Sequence, residues 1–530
     1  MSTCRNRSIF PREEDIPGRF RLKGEIIQRE YLVGGELRVW NGRMYDVSSP
    51  IYVQTPKGLA QKTLGRFPMM SGRESLRALQ AALDAYDSGR GLWPGMSMRE
   101  RICCVEKFMG RMKERKKDIL LLMMWEIGKS YCEAQKEFDR TIGYIENTLE
   151  AVEDISRASS GFVTEQGIMG QIRRSPLGVV LCMGPFNYPL NETFATLIPA
   201  LLMGNTAIFK PPKLGVLLHY PLLGALRDSF PPGVVNTVYG DGKQVITPLM
   251  ESGRVDVLAF IGSSRTADVI KSRHPRPQRL KSVLGLEAKN PAVVLGDADL
   301  DNAVRECVAG SLAFSGQRCT ALKIIFVHYA IAERFIDRFV GAVRSLKVGM
   351  PWEKEVTITP LPEKGRTDYL MGLLNDSLAH GARIMNELGG RVNKTIFYPT
   401  VVYPVSSKAR LYREEQFGPL VPIVAFEDIE TPVRYIIDSS YGQQASIFGR
   451  DPGVLGDLAN VFVKQVCRVN INSMCQRGPD IFPFAGRKDS GEGTLSVSDA
   501  LRIFSMRTIV ATKEKEKNRQ IFVKVVGKNK

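Results

Sequence analysis

Histidine is scarce in this chain: four in 530 residues (His219, His274, His328, His380), no two of them close in sequence. A histidine-rich metal site or a Ser–His pair therefore has no sequence support. The nine cysteines are odd in number and scattered, with no C-x-x-C spacing. That argues against a disulfide framework or zinc ribbon and for a reducing compartment, the cytoplasm. No run approaches the about eighteen apolar residues that span a membrane. The densest cluster, residues 119–125, follows "KERKKD" and reads as one buried turn of a helix. The opening "MSTCRNRSIFPREED" lacks the apolar stretch of a secretory signal, and the closing "VGKNK" is not a Ser-Lys-Leu address. The G-x-G-x-x-G fingerprint is missing as well: "GDGKQV" at 240 has Val245 where the last glycine belongs. No internal repeat is evident.

What is present is a globular composition, 44% hydrophobic and 24% charged, long enough for two or three domains. The net charge is +17, and nine Lys/Arg against two Glu place +7 of it in residues 501–530. This reads as a solvated tail. A basic nucleic-acid-binding protein is the rival reading, but no aromatic-interleaved basic motif accompanies the charge. The first hundred residues read as irregular, with helices over 75–88 and 97–122. From residue 172 short apolar runs alternate with helical stretches: "GVVLCM", "NTAIFK", "GVVNTVYG", "VDVLAFIG", "NPAVVLGD" and "ALKIIFVH". Such runs, rich in β-branched residues and bounded by Gly, Pro, Asn or Asp, suit buried parallel strands. The alternation predicts a doubly wound α/β architecture. One intervening helix, over 300–314, has Leu300, Val304, Val308 and Leu312 on one face.

Cys319, in "FSGQRCTALK", is either a nucleophile or a small buried hydrophobe. Arg318 beside it would stabilise a thiolate, and Gly316 permits close backbone approach. "GPFNYPLN" (184–191) follows a predicted strand, at the carboxyl end where open α/β sheets bind ligands. Its Asn187 offers an N–H₂ to a developing oxyanion. "FKPPK" (209–213) ends the next strand, and its Lys210 would reach a ribose or phosphate.

"GPFNYP", "FKPP", "FIGS", "FSGQRCT", "EEQFGP" and "FPFAGRKDSG" occur in the order and approximate spacing of the aldehyde dehydrogenase superfamily. The chain resembles that superfamily over about residues 36–512. The narrower resemblance, carried by "GPFNYP", "GQRCTA" and "NSMCQRGPDIFPF", is to its non-phosphorylating, NADP-dependent glyceraldehyde-3-phosphate dehydrogenases. The resemblance implies two doubly wound α/β domains and a small bridging sheet. The cofactor-binding domain would use residues 1–155 and 176–285, and the catalytic domain 286–503. The bridging and oligomerisation segments would be 156–175 and 504–530, so a dimer or tetramer is expected. It further implies that Cys319 attacks the aldehyde and that Asn187 and the Cys319 backbone N–H hold the oxyanion. The resulting thioester is hydrolysed, with no metal. Glu415 and Phe417 would hold the nicotinamide end of the cofactor, and Ser263 the pyrophosphate.

Lys210 matches the family's cofactor lysine. Lys213 stands where NAD-preferring members usually carry Glu; a lysine cannot accept bonds from ribose hydroxyls but pairs with a 2′-phosphate, which favours NADP. The glycine expected five places after Gly262 is Ala267. Arg140, Tyr188, Arg318 and Arg477 match positions that would form a phosphate pocket for the substrate. Together they imply oxidation of D-glyceraldehyde 3-phosphate with NADP⁺ and water to 3-phosphoglycerate. One rival is another aldehyde or semialdehyde, with coenzyme A as acyl acceptor among the options. The pattern breaks at the deacylating base. The family places Glu thirty-four residues before the cysteine, where this chain has Gly285. The nearest carboxylate is Glu287. On a strand it would share a face with Gly285, displaced by roughly 6–7 Å. Its alternatives are a pairing with a cation such as Lys289, or water activated by another group.

Overall fold

A computed structural model describes residues 9–158 and 161–527. The β-branched runs form two large sheets. In the first, Val235–Thr237, Thr206–Lys210, Val179–Met183, Val257–Ile261 and Lys281–Gly285 lie side by side in parallel. From Val179–Met183 the chain adds strands first to one side and then to the other. The two connecting paths diverge there, which leaves a crevice at the strands' carboxyl ends. Val179, Val180, Leu181 and Cys182 are fully buried, as expected of strands covered on both faces.

The second sheet has the order Arg383–Ile384, Thr400–Tyr403, Leu420–Phe426, Leu322–His328, Asn290–Val294, Gln444–Phe448 and Arg468–Ile471. Only its first strand is antiparallel. Helix Leu300–Leu312 covers it with Val304, Val308 and Leu312 turned inward, the stripe read from the sequence. A third sheet pairs Ile168–Pro176 antiparallel with Ser505–Lys513 on one side and Val163–Glu165 on the other.

Several expectations need correction. The first hundred residues are not irregular: Met44–Thr55 and Gly58–Pro68 form a long antiparallel hairpin. Register shifts after Val47 and Ser48 break its inside–outside alternation, which hides it from a period-two reading. The helix over 97–122 is two helices, Met98–Glu114 and Lys116–Ile127, separated at Arg115. Ser97 and Glu100 cap the first reciprocally. Gly491–Glu492 adds a short antiparallel strand to Lys281–Gly285 of the first sheet. The basic tail is not only a solvated extension. It forms helix Glu516–Gly527, which buries Phe522 and Val526 with Met169. Among the described residues no helix is long and apolar enough to cross a membrane.

Candidate active site

A cavity of about 750 Å³ opens at the carboxyl ends of the first sheet's central strands. Its walls include Asn187, Lys210, Ser263, Glu287, Cys319 and Glu415. Lys213, Phe417 and Tyr188 line it too. Nine of the twelve residues expected at the site thus meet at one cavity. A larger open groove of about 1220 Å³, beside Arg19 and Asp228, carries charges of both signs and no cysteine.

Cys319 lies between the turn Ala313–Gly316 and strand Leu322–His328. The turn is wound tightly, with Phe314 and Ser315 at φ 50° and 54°. Gly316 is at φ +72°, where a Cβ would stand 2.5 Å from the Gly418 carbonyl oxygen; only glycine fits. Asn290 fixes the Cys319 carbonyl, its amide donating at 2.8 Å. Burial pushes the thiol up, and the Glu192 carboxylate pushes the same way. Lys323 and Arg477 pull it down, and Glu415 opposes them. The cations acting on the sulfur are therefore not the adjacent Arg318.

Asn187 sits in the turn between strand Val179–Met183 and helix Asn191–Leu202. One of its amide hydrogens goes to the Gln317 carbonyl at 2.9 Å, leaving the second for a ligand. The turn is braced from below. Buried Lys129 donates to the Asn187 carbonyl at 2.7 Å and is paired with buried Glu137. Glu137 accepts the backbone N–H groups of Leu190 and Asn191 at 3.0 and 3.1 Å. Lys129 also stands 3.8 Å from the Tyr188 ring centroid. Burial pushes the Tyr188 phenol up, so it stays a neutral donor.

The lysine pair forms another wall. Lys210 is buried, and desolvation, reinforced by Lys213, lowers its ammonium to about 8 against the pull of Asp241. Lys213 lies over the Tyr45 ring. Neither lysine has a carboxylate within ion-pair distance among the described residues; Lys210 donates to the Pro211 carbonyl at 3.2 Å. Ser263 caps helix Ser264–Ser272, whose N-terminus faces the same cavity. At the far side Glu415 pairs with Lys323 and accepts the Ala288 N–H at 3.2 Å. Phe417 meets Phe186 edge to face at 5.9 Å. These groups suit a phosphorylated dinucleotide.

The three arginines are placed differently from the expectation, since none is among the cavity-lining residues. Arg140 is held bidentately by Asp480, at 3.0 and 2.7 Å. Arg477 pairs with Glu192 and stands 3.5 Å from Asp480. Arg318 donates to Thr320 at 3.2 Å and to the Cys475 carbonyl at 3.4 Å.

Strand Lys281–Gly285 ends at Gly285, so Glu287 does not continue its face. The Glu287 carboxylate instead accepts the Ser264 N–H at 3.0 Å and its hydroxyl at 2.6 Å. Lys289 is not its partner; that buried ammonium goes to the Glu414 carbonyl and to Gln416, both at 2.7 Å. Among the five carboxylates that line the cavity, Glu287 alone has no Lys or Arg within ion-pair distance.

Sequence reasoning missed Lys129, Glu137, Glu192 and Lys323. Lys323 left a signal: a charge inside the apolar run "ALKIIFVH" must find a buried partner. Lys129 and Glu137 left none, because their meeting with Asn187 is a tertiary contact. Among the described residues no three His, Cys, Asp or Glu gather as metal ligands.

The model of the aldehyde dehydrogenase family matches residues 46–510. An NADP-dependent glyceraldehyde-3-phosphate dehydrogenase of Streptococcus equinus is 32% identical over 454 residues, covering 85% of this chain and 92% of the relative. The wheat (Triticum aestivum) protein of the same name is 29% identical over 494 residues, 91% and 95% of the two chains. Among solved structures, the NADP complex of the Bacillus halodurans C-125 NADP-dependent glyceraldehyde-3-phosphate dehydrogenase superposes with a TM-score of 0.85. It is 31% identical and covers 92% of this chain and 100% of its own. Escherichia coli lactaldehyde dehydrogenase gives 0.84 at 25% identity, over 92% and 99%.

Proposed function

Because the chain belongs to the aldehyde dehydrogenase family, we propose that it oxidises D-glyceraldehyde 3-phosphate to 3-phosphoglycerate with NADP⁺ and water. The observation that carries the cofactor is the pair of lysines without a carboxylate partner among the described residues, Lys210 and Lys213, on one cavity wall. The relatives' names support both cofactor and substrate. NADP⁺, when bound, accepts the hydride.

This chain's residues do the rest. The Cys319 sulfur, its proton passing to solvent water, adds to the aldehyde carbon. Asn187 and the Cys319 N–H hold the oxygen of the thiohemiacetal, where charge develops. Loss of hydride leaves a thioester. Glu287 takes a proton from water, which displaces the sulfur and frees the acid and the thiolate. Its place on the cavity wall with Cys319, held by Ser264 with no Lys or Arg in ion-pair distance among the described residues, supports that role. For the substrate's phosphate, Tyr188 stands at the cavity wall and Arg140, Arg318 and Arg477 behind it, each charge-assisted bond they make contributing about 1.5–3 kcal/mol.

Residues 1–155 and 176–285 form the cofactor-binding unit, 286–503 the catalytic unit, and 156–175 with 504–530 the bridging segments. The third sheet's outer strand exposes Met506, Ile509 and Val510, which supports pairing with further copies in a dimer or homotetramer. A reducing cytoplasm suits the scattered free thiols.

The test follows NADPH formation from D-glyceraldehyde 3-phosphate and NADP⁺ without inorganic phosphate or coenzyme A. Sustained turnover, lost in Cys319→Ala, is expected. One NADPH per subunit and then arrest would mean that an acceptor other than water completes the reaction.

A further inference from the structure

The pocket meant for the substrate's phosphate already contains an anion. Glu192, in the first turn of helix Asn191–Leu202, is buried, and it lines the cavity together with Cys319. Its carboxylate is the ion-pair partner of Arg477, itself only 5% exposed. Its charge is also felt by Arg140 and by the sulfur. Arg140 and Arg477 thus face two carboxylates, Asp480 and Glu192, before any ligand arrives.

The two carboxylates are not equivalent. Asp480 grips Arg140 with both oxygens and does not line the cavity. Glu192 does line it, and it occupies a guanidinium that an entering anion needs. A surface glutamate in a first turn is favoured by the helix dipole alone. A buried one beside a nucleophile is costly, because it raises the thiol it faces. Its position therefore calls for a role at the site.

We propose that Glu192 is a specificity-determining residue, the resident counter-ion of Arg477, which the anionic tail of an aldehyde substrate must displace. A carboxylate tail, as on a semialdehyde, offers Arg477 the same chemistry as Glu192 and gains little by exchange. A phosphate dianion brings more charge and three acceptor oxygens, so it wins the exchange. The pocket selects phosphorylated over carboxylated aldehydes by internal competition. This rests on the phosphorylated-aldehyde reading above.

The test titrates sulfate and acetate into the full chain saturated with NADP⁺, which fills the cofactor's own anion site, and reads binding by calorimetry. Wild type should bind sulfate at least about tenfold more tightly than acetate, the scale of one charge-assisted bond. Glu192→Gln should tighten sulfate about tenfold further, and Arg477→Met in that background should abolish the gain. Glu192→Asp, which keeps the charge, should stay near wild type. Equal wild-type affinities, or unchanged or weaker sulfate binding in Glu192→Gln, overturn the proposal. If Glu192→Gln does not fold, Glu192→Met, neutral and of similar length, carries the same reading, and the wild-type ratio stands by itself. Failure to oxidise D-glyceraldehyde 3-phosphate, with tighter sulfate in Glu192→Gln, would overturn the substrate reading and leave the counter-ion intact.

Discussion

At Cys319 opposing fields meet: burial and Glu192 hold the proton on, while Lys323 and Arg477 draw it off. In the proposed reaction, release of the acyl group falls to Glu287. With Glu287→Gln, we expect acylation to continue and hydrolysis to slow by about 10²–10⁴. Rapid-quench kinetics should then show one NADPH per subunit followed by arrest. Lys210 gives a pH signature. Its ammonium is lowered to about 8 from the usual 10.5. A 2′-phosphate binds the cation, so NADP⁺ affinity should hold below pH 8. It should fall as pH rises through 8, by at most about tenfold per unit. The stability sign is the reverse. Between 8 and 10.5 the unfolded chain binds the extra proton, so this lysine's burial penalty lessens as pH rises. Fluorescence titration of NADP⁺ across that range checks the first, with Lys210→Met expected to lose the dependence.

Among the elements, the turn that carries Asn187 depends most on groups outside itself. Lys129→Met would leave Glu137 buried without its cation, and removing one partner of such a pair costs about 3–5 kcal/mol. We expect a lowered urea midpoint and, because the Asn187 carbonyl loses its donor, a fall in kcat that exceeds any change in KM. This also marks where the sequence is legible. Strands such as Val179–Met183 and Val257–Ile261 are continuous apolar runs, so their burial is written locally. Asn187 and Lys210 follow or close such runs and Cys319 stands just before a strand, and short motifs find them. Glu192 takes its meaning from Arg477, and Lys129 from the Asn187 turn, across the fold where no spacing rule reaches. The hairpin Met44–Thr55 with Gly58–Pro68 was hidden because its bulges break the period on which a strand reading depends.

At the scale of the whole molecule, the ends of the chain complete what its middle begins. Strand Ser505–Lys513 covers one edge of Ile168–Pro176 over nine residue pairs. A chain ending at Phe504 would leave that edge bare and lose the exposed apolar residues Met506, Ile509 and Val510. Light scattering should then show a smaller oligomer followed by aggregation. The pairing of Gly491–Glu492 with Lys281–Gly285 carries a consequence for synthesis. About 200 residues separate those strands, so at roughly 5–20 residues per second the first sheet waits tens of seconds on the ribosome with one flank open. Until residues 491–492 are made, the nascent chain carries the first sheet with five of its six strands and the Lys281–Gly285 edge uncovered, the kind of open edge that invites wrong pairing.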